Sequence, residues 1–494
     1  MRRPLHGGVS LLALLGAAAP VGVAWGQCTP TSRSLSGTYG TVYGDGGSIA
    51  ITNTGVITGA GNGNGIDLSA CGATSINNAG NVSGPHNGVY GFVYSVDTLV
   101  NSGHISGTGA AANGFYNGFG SVTVLTNAST GVISGTQTGV QNYGGSFTTL
   151  TNSGSISGNG VGIQNKASTI DTLTNSGSIV ATGVTGTALY NAYSTISTVT
   201  NTGTIAGGAF GVQNIDASIG ILTNGGSISG TVTGISNAGP APGTIGSLAN
   251  SGTISGPTAI YSKAGMGPIT NSGLISGNVH IQNQDVAISG GTGATFGTLA
   301  NGLISIDNGN LLFAGGNQQL DDDISVNGGT GTVINQGVLR LVTSHAITGN
   351  MQETATGELA LDFAGTGAGQ FGRLAISAAL TLVGGLAVDL TDGFTLSVGD
   401  DFDILDFASL TGDFDSFSLD GISCSSGASD IWTCANLGGG LYIAEVKTDN
   451  DLDLVVRAQG SGQGVPTPEP GSLGLLGGAL AGLAALRRKR DRSG

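Results

Sequence analysis

The chain has 494 residues, of which 93 are glycine, 9% are charged and 5% are aromatic, and its mean hydropathy is +0.22. Disordered chains are poor in apolar residues and usually rich in charge, and collagen needs far more than the 11 prolines present, so both classes are excluded. The formal charge of −15 excludes a basic nucleic-acid-binding face. The remaining mixture of Gly, Ser, Thr, Asn, Val, Ile and Leu predicts an all-β fold of short strands and tight turns.

Residues 1–26 have the organisation of a secretory signal peptide. Arg2 and Arg3 precede an apolar stretch, and Ala24-Trp25-Gly26 places small residues at both ends of the tripeptide before Gln27. We therefore expect cleavage before Gln27 and export through the inner membrane by the export machinery.

All four cysteines follow this segment. An even number in an oxidising compartment suggests two disulfides, and proximity in the sequence pairs Cys28 with Cys71 and Cys424 with Cys434.

A repeated unit, Leu/Ile-Thr-Asn-Ser-Gly-x-Ile-Ser-Gly, fills residues 27–345. Its main asparagines recur every 21 to 26 residues, at Asn53, Asn78, Asn101, Asn127, Asn152, Asn175, Asn201, Asn224, Asn250 and Asn271. Degenerate copies follow at Asn301 and Asn335. A second motif, Gly-Val/Ile-x-Asn and variants, lies between the main copies, at Asn117, Asn142, Asn165, Asn214 and Asn237.

Each unit has about three short strands with alternating apolar positions and Gly or Asn at the bends. A single unit cannot bury its own apolar side chains, so copies must stack. We predict a right-handed parallel β-helix of about 12 coils, in which the main asparagines form a hydrogen-bonded ladder. Leu150, Leu173 and Leu222, each two residues before a main asparagine, should share one inward column.

The composition changes near residue 345. Glu first occurs at Glu353, and Asp and Phe become common in alternating segments such as GELALDF and GDDFDILDF. An open last coil would expose unpaired backbone groups, so residues 346–458 are interpreted as a β cap region. Residues 459–467 read as a linker.

The last segment, residues 468–494, contains three features in order. Pro468-Glu469-Pro470 precedes an apolar run, Leu473 to Leu486, and a basic cluster of Arg487, Arg488, Lys489 and Arg490. The run is shorter than the ~20 residues that span a bilayer comfortably, and the basic residues should stay on the cytoplasmic side.

This arrangement resembles the PEP-CTERM sorting signal of Gram-negative bacteria that make extracellular polysaccharide. The resemblance implies transient anchoring in the inner membrane, processing by an exosortase, and delivery to the cell surface or extracellular matrix. The repeat resembles the β-helical passengers of autotransporter adhesins and the bodies of many PEP-CTERM surface proteins.

The repeat contains few residues of the types that catalyse reactions on polysaccharides. Between Ser34 and Leu339 there is no Arg and no Glu, and the only lysines are Lys166 and Lys263. Lys166 and Asp171 are close in sequence but are interpreted as surface residues. We therefore predict no catalytic residue and no cofactor.

Two aspartate groups partly resemble calcium loops. Asp449, Asp451 and Asp453 lack the following glycine and the distal glutamate of such a loop. Their alternation with apolar residues instead predicts a strand with one solvent-exposed face. Asp400, Asp401 and Asp403 are interpreted in the same way, so no metal is predicted.

The resulting hypothesis is a non-catalytic exported surface or matrix protein, structural or adhesive. Its expected partners are the processing enzyme and, outside the cell, a biofilm polysaccharide or another cell surface. The alternative is a carbohydrate-active β-helix enzyme, a polysaccharide lyase or hydrolase, because many parallel β-helices have these activities.

Overall fold

The computed structural model describes residues 28–458 except 61, 62, 242, 428 and 429. Over these residues the chain forms 51 strands and one short 3-10 turn, Asn327–Gly329, with no α-helix. The strands stack in parallel from coil to coil, which confirms the predicted all-β parallel β-helix. The described chain makes about 14 turns rather than the 12 predicted. No described helix is long and apolar enough to cross a membrane.

A typical coil has three strands, and each stacks on its copy in the next coil. The first face consists of Arg33–Leu35, Ser48–Ile51, Ala73–Asn78, Val96–Asn101, Ser121–Asn127, Ser146–Asn152, Thr169–Asn175, Thr195–Asn201, Ser218–Asn224, Thr244–Asn250, Ile269–Asn271, Val286–Ser289, Leu311–Gly315, Thr332–Asn335, Asn350–Glu353, Ala379–Leu382 and Ser409–Gly412.

The second face begins with short strands that follow the first-face strands after a tight turn. They are Thr38–Tyr39, Val56–Thr58, Asn81–Gly84, His104–Gly107, Val132–Gly135, Ser155–Gly158, Ser178–Ala181, Thr204–Gly207 and Ser227–Gly230, and later Val338–Leu341, Glu358–Phe363, Gly385–Leu390 and Ser416–Leu419.

The third face completes each coil. Its strands are Val42–Tyr43, Asn64–Asp67, Asn87–Phe92, Asn113–Gly118, Thr138–Tyr143, Val161–Lys166, Thr187–Ala192, Phe210–Ile215, Thr233–Ala238, Ser344–Thr348, Arg373–Ile376 and Asp401–Asp406. Four long strands with register shifts run through both the second and the third face: Thr253–Ser262, Leu274–Gln282, Gly297–Asp307 and Asn317–Val326.

The interior is a set of apolar columns parallel to the axis. Leu150 is in register with Leu173, and Leu222 joins the same column through Val199. All four side chains are fully buried, so the predicted inward column is confirmed. Each buried side chain packs between its neighbours in the coils above and below. The apolar core therefore extends along the whole axis, and each coil is stabilised mainly by the adjacent coils.

Parallel stacking continues past residue 345 without a break. The strand Asn350–Glu353 stacks on Thr332–Asn335, and further coils follow up to Ser409–Gly412. Among the strands, antiparallel pairing occurs at the C-terminal end, where Asp401–Asp406 meets Asp451–Ala458, which in turn pairs with Leu441–Lys447.

Three shorter strands complete this end of the described chain. They are Ile422–Ser423, Ser425–Ser426 and Ile431–Thr433, and their pairings are also antiparallel. The antiparallel return supplies hydrogen-bonding partners for strands that would otherwise form an open edge.

Candidate functional site

The main asparagines from Asn78 to Asn271 form one continuous ladder inside the corner after the first face. The Nδ2 of Asn152 donates to Oδ1 of Asn175, and Asn175 donates to Asn201, both at 2.7 Å. The other rungs have the same direction and lengths of 2.8–2.9 Å. An amide both donates and accepts, so the column can repeat from coil to coil without a buried charge.

Asn53 does not belong to this ladder, and its prediction as a rung was wrong. The register places Ile51 opposite Asn78, while Asn53 is exposed in the turn beyond the strand. The same register sets Ile49 on the buried Ile76. A shift of two residues would place Asn53 opposite Asn78 but would move Ile49 opposite the exposed Thr74, so the observed register is the one that buries both Ile49 and Ile51.

A second ladder follows the third face. It connects Asn117, Asn142, Asn165, Asn191, Asn214 and Asn237 with Nδ2-to-Oδ1 distances of 2.7–2.9 Å. It ends where Asn237 donates to the hydroxyl of Ser262 at 3.0 Å.

A third, shorter ladder was not predicted from the sequence. Asn113 donates to Asn87, and Asn87 donates to Asn64, at 2.9 and 2.8 Å. All three asparagines precede a glycine at the start of a third-face strand. That Asn-Gly dipeptide was the signal that could have located them.

Both predicted disulfides are present. Cys28 is bonded to Cys71, which ties the start of the described chain to the coil that contains Asn78. Cys424 is bonded to Cys434 within the antiparallel end. The described part of the chain contains no free cysteine.

A cleft of about 440 Å³ lies on the second face near residue 340. Its floor is formed by the small side chains Ala360 and Ala387, and Arg340, Glu358 and Asp389 stand around it. These residues lie on three successive strands that stack in register. The cleft exists because the alanine side chains are small, and the longer side chains at alternate outward positions form its walls.

The guanidinium of Arg340 is held firmly in this cleft. Its Nε and Nη2 donate to the two carboxylate oxygens of Asp362 at 2.8 and 2.6 Å. The ring of Phe296 lies 5.3 Å from the guanidinium carbon, within cation–π range. The two contacts fix the orientation of the positive charge.

The two other acids of the cleft, Glu358 and Asp389, have raised pKa values. Burial raises the pKa of Glu358, and the nearby Asp389 raises it further. Burial and then Asp362 raise the pKa of Asp389, although Arg340 opposes the shift. Two carboxyls of raised pKa beside an arginine can exchange protons with a bound molecule. The sequence did not single out these acids, because they lie in the region after residue 345 that was interpreted as a cap.

The two aspartate groups that partly resemble calcium loops meet through antiparallel pairing. Asp403 is opposite Asp453, and Asp406 is opposite Asp451. The guanidinium of Arg373 lies among them, 2.7 Å from Asp403 and in contact with Asp406. Burial, with Asp401 and Asp403, raises the pKa of Asp453 to about 6. Arg373 therefore forms ion pairs within this group of aspartates.

One carboxylate group has metal-like spacing in the described residues. Oxygens of Asp413, Asp430 and Glu445 lie within 4.8 Å of one another. The ammonium of Lys447 is 2.7 Å from Asp430 and also contacts Asp413, and these acids raise the pKa of Lys447. This group is thus an ion-pair network centred on a lysine.

The predicted sorting residues lie outside the described residues. They are Pro468, Glu469, Pro470, Arg487, Arg488, Lys489 and Arg490.

Comparison with known proteins concerns this same tail. Residues 466–489 match the family model of the PEP-CTERM protein-sorting motif. No curated protein and no solved structure matches the chain. The fold and the tail together define an exported β-solenoid protein. The PEP-CTERM motif indicates, more particularly, a surface protein that is processed by an exosortase at the membrane.

Proposed function

We propose that the chain is a non-catalytic structural or adhesive protein of the Gram-negative cell surface or extracellular matrix. The observation that carries the proposal is the attachment of a matched sorting motif to a long, rigid stack of coils. Fourteen coils at a strand spacing of about 4.8 Å give a rod about 65 Å long. Such a rod extends outward from a membrane while its outward side chains remain available to partners.

The polar interior supports a scaffolding role. The first two ladders of neutral asparagines stabilise the coils without any ionisable group, so the rod should tolerate changes in external pH and salt. The loops at its corners also vary in length from coil to coil, while the arrangement of three strands in a typical coil stays the same. Coils of one architecture thus present loops of different length.

Export would place the tail for processing. The apolar run Leu473 to Leu486 stops in the inner membrane, because moving Arg487 to Arg490 across against the potential is unfavourable. Pro468-Glu469-Pro470 then lies at the periplasmic edge, where a membrane-embedded exosortase would cut. The mature chain would continue to the surface or matrix without its tail.

This route is tested by replacing Pro468-Glu469-Pro470 with three alanines. We expect a slightly larger form to accumulate in the inner membrane, detected by fractionation and immunoblotting. Replacing the linker residues Ser461-Gly462-Gln463 with alanines is the matched control and should leave processing normal. An intact C-terminus on the wild-type surface protein, found by mass spectrometry, would refute the proposal.

The cleft favours a second candidate function, a carbohydrate-active enzyme. Glu358 and Asp389 combine raised pKa values with a position beside Arg340, as acid–base chemistry on a polysaccharide requires. The purified protein should then release reducing or unsaturated sugars, and Glu358→Gln and Asp389→Asn should each abolish the release. Asp171→Asn, an exposed control on another face, should not. If the wild type releases no sugar, the enzyme candidate is excluded for the polysaccharides tested.

A further inference from the structure

The residues that follow the third-face strands have a left-handed backbone. We define the left-handed corner as Val93, Phe119, Gly144, Ala167, Tyr193 and Asp216, which occupy this position in six successive coils. Their φ angles are 69°, 59°, 67°, 50°, 53° and 49°. Glycine and asparagine adopt this conformation easily, but a branched or aromatic side chain adopts it at a cost.

Burial does not explain the large side chains of this corner. Val93, Phe119 and Tyr193 are 57%, 56% and 61% exposed. The equivalent position in later coils has the residue type that backbone geometry favours, at Asn283, Asn308 and Asn327. Folding alone would therefore select Asn or Gly at Phe119 and Tyr193 as well. A strained and exposed aromatic residue points to a use outside folding.

The ring of Phe119 lies across the next coil. A Cβ atom added to Gly144 would be 2.5 Å from a ring carbon of Phe119, so only glycine leaves space for the ring there. Phe92 and Tyr143 flank it nearly at right angles, with centroids 5.8 and 5.7 Å away. Phe119 thus lies against the backbone of the next coil and two neighbouring rings, yet more than half of the residue remains exposed.

Tyr193 forms the wall of a separate cleft of about 380 Å³. Hydroxyl side chains line this cleft, namely Ser194, Thr195, Ser218 and Thr244. The carboxylate of Asp216 also lines it and accepts a hydrogen bond from the Ala241 amide at 2.9 Å. An aromatic wall with surrounding hydroxyls matches the mixed apolar and hydrogen-bonding surface of a sugar ring.

An outward row of amides borders the corner between the two aromatic positions. Gln141 donates to Gln164 at 2.7 Å across neighbouring coils. Tyr190 follows Gln164 in register, and Gln213 lies one coil further on, beyond Tyr193. From Phe119 to Asp216 the charged residues are Lys166, Asp171 and Asp216, a net charge of −1. This stretch is nearly neutral in a chain whose formal charge is −15, so the surface suits an uncharged ligand.

We propose that the left-handed corner binds an extended neutral polysaccharide that runs parallel to the axis of the rod. The sugar rings stack on Phe119 and on Tyr193, and their hydroxyls bond to the glutamine amides and to the hydroxyls of the Tyr193 cleft. The two aromatic positions are three coils apart, about 14 Å, so one chain of several sugars contacts both. The inference rests on the proposed role outside the cell and names the ligand class for it.

The test is affinity electrophoresis of the full exported protein through gels that contain a β-glucan, a mannan or the anionic polymer alginate. We expect a neutral polymer to retard the wild type. Phe119→Asn and Tyr193→Asn should each weaken retardation about tenfold, as expected for one lost stacking contact. Tyr193→Phe keeps the ring and should retain affinity. Ile221→Asn, which removes an exposed apolar side chain from the first face, is the control and should also retain it.

Thermal unfolding separates this role from a structural one. Asparagine fits the left-handed backbone better than tyrosine, so Tyr193→Asn should raise Tm while it weakens binding. A fall in both Tm and polymer binding would overturn the proposal. Stronger retardation by alginate than by the neutral polymers would also overturn it, as would unchanged retardation of both Asn variants. So would a finding that the main effect of these variants is loss of self-association. Measuring how much Tyr193→Asn reaches the cell surface, by fractionation, distinguishes the proposal of polysaccharide binding from the proposal of surface delivery. If it reaches the surface but the wild type binds no neutral polymer, only this inference fails.

Discussion

The polar groups buried inside the repeat coils differ from those inside the C-terminal coils. From Asn78 to Asn271 the corner contains neutral amides that bond to one another. From Asn335 onward the buried or half-buried polar groups are mostly ionisable, as in the pair Arg340–Asp362 and the group around Arg373. The backbone architecture is the same in both regions. A parallel solenoid therefore accepts either chemistry, but only the amides can repeat without a partner of opposite charge.

Glu353 shows where the two chemistries meet. Its Oε1 accepts a hydrogen bond from Asn335 at 2.8 Å, as the next amide of a ladder would. Its Oε2 has no hydrogen-bond partner, and burial raises the pKa of Glu353 to about 9. At neutral pH the side chain is thus an uncharged acid that takes the place of an amide. The C-terminal coils should be sensitive to pH in a way that the repeat coils are not.

The largest effect is expected from Asn175→Asp. The new carboxylate would accept from Asn152 but face the Oδ1 of Asn201, which is also an acceptor. A buried charge without compensation should lower the free energy of unfolding by about 3–5 kcal/mol in urea titrations followed by circular dichroism. Asn53→Asp, in the same sequence motif but exposed, should change it by less than about 0.5 kcal/mol. Equal effects would mean that the ladder does not stabilise the coils.

Leu173→Ala and Leu374→Ala compare the apolar columns of the two regions. Both side chains are fully buried, so each truncation should cost about 3 kcal/mol through lost burial and a cavity. Similar losses in urea titrations would show that the regions differ only in their polar groups. A much smaller loss for Leu374→Ala would mean that the C-terminal coils are packed differently.

Glu353→Gln tests the predicted pH dependence. Below pH 4.5 the carboxyl is protonated in both the folded and the unfolded chain, so the substitution should have little effect. Between pH 4.5 and about 9 only the unfolded chain ionises, which lowers wild-type stability as pH rises. The variant should therefore be more stable than wild type by about 3 kcal/mol at pH 7.

Thermal unfolding at pH 4, 7 and 8.5 would measure this difference. Asp171→Asn, at an exposed position, provides the control and should unfold like the wild type at each pH. An advantage of Glu353→Gln that is constant with pH would contradict the assigned protonation.

The smallest effect is expected from Asp171→Ala in the repeat. Its side chain is exposed on the first face, so stability should change by less than about 0.5 kcal/mol. Surface delivery, measured by fractionation, should also be unchanged. A clear loss of either property would assign the residue a role that neither its position nor its surroundings suggest.

The sequence by itself determined the coil, the inward leucine column and most of the first ladder. A repeat of 21 to 26 residues places equivalent residues above one another, so Asn152 and Asn175 meet whatever the details of the loops. The cysteine pairs were also predictable from proximity along the chain, because two cysteines lie near its start and the other two are 10 residues apart. The sorting tail could be recognised because it is read as a linear motif.

Only the tertiary structure decided the features that depend on register and on distant strands. Asn53 shares the motif but lies outside the ladder, because burial of Ile49 and Ile51 sets the register of the first coils. Asp403 meets Asp453 because the chain returns in the antiparallel direction, which no local pattern specifies. The cleft around Arg340 needs three stacked strands, and the exposed rings of Phe119 and Tyr193 need a left-handed corner. A local pattern encodes which residues repeat, whereas burial and long-range pairing determine which of them meet.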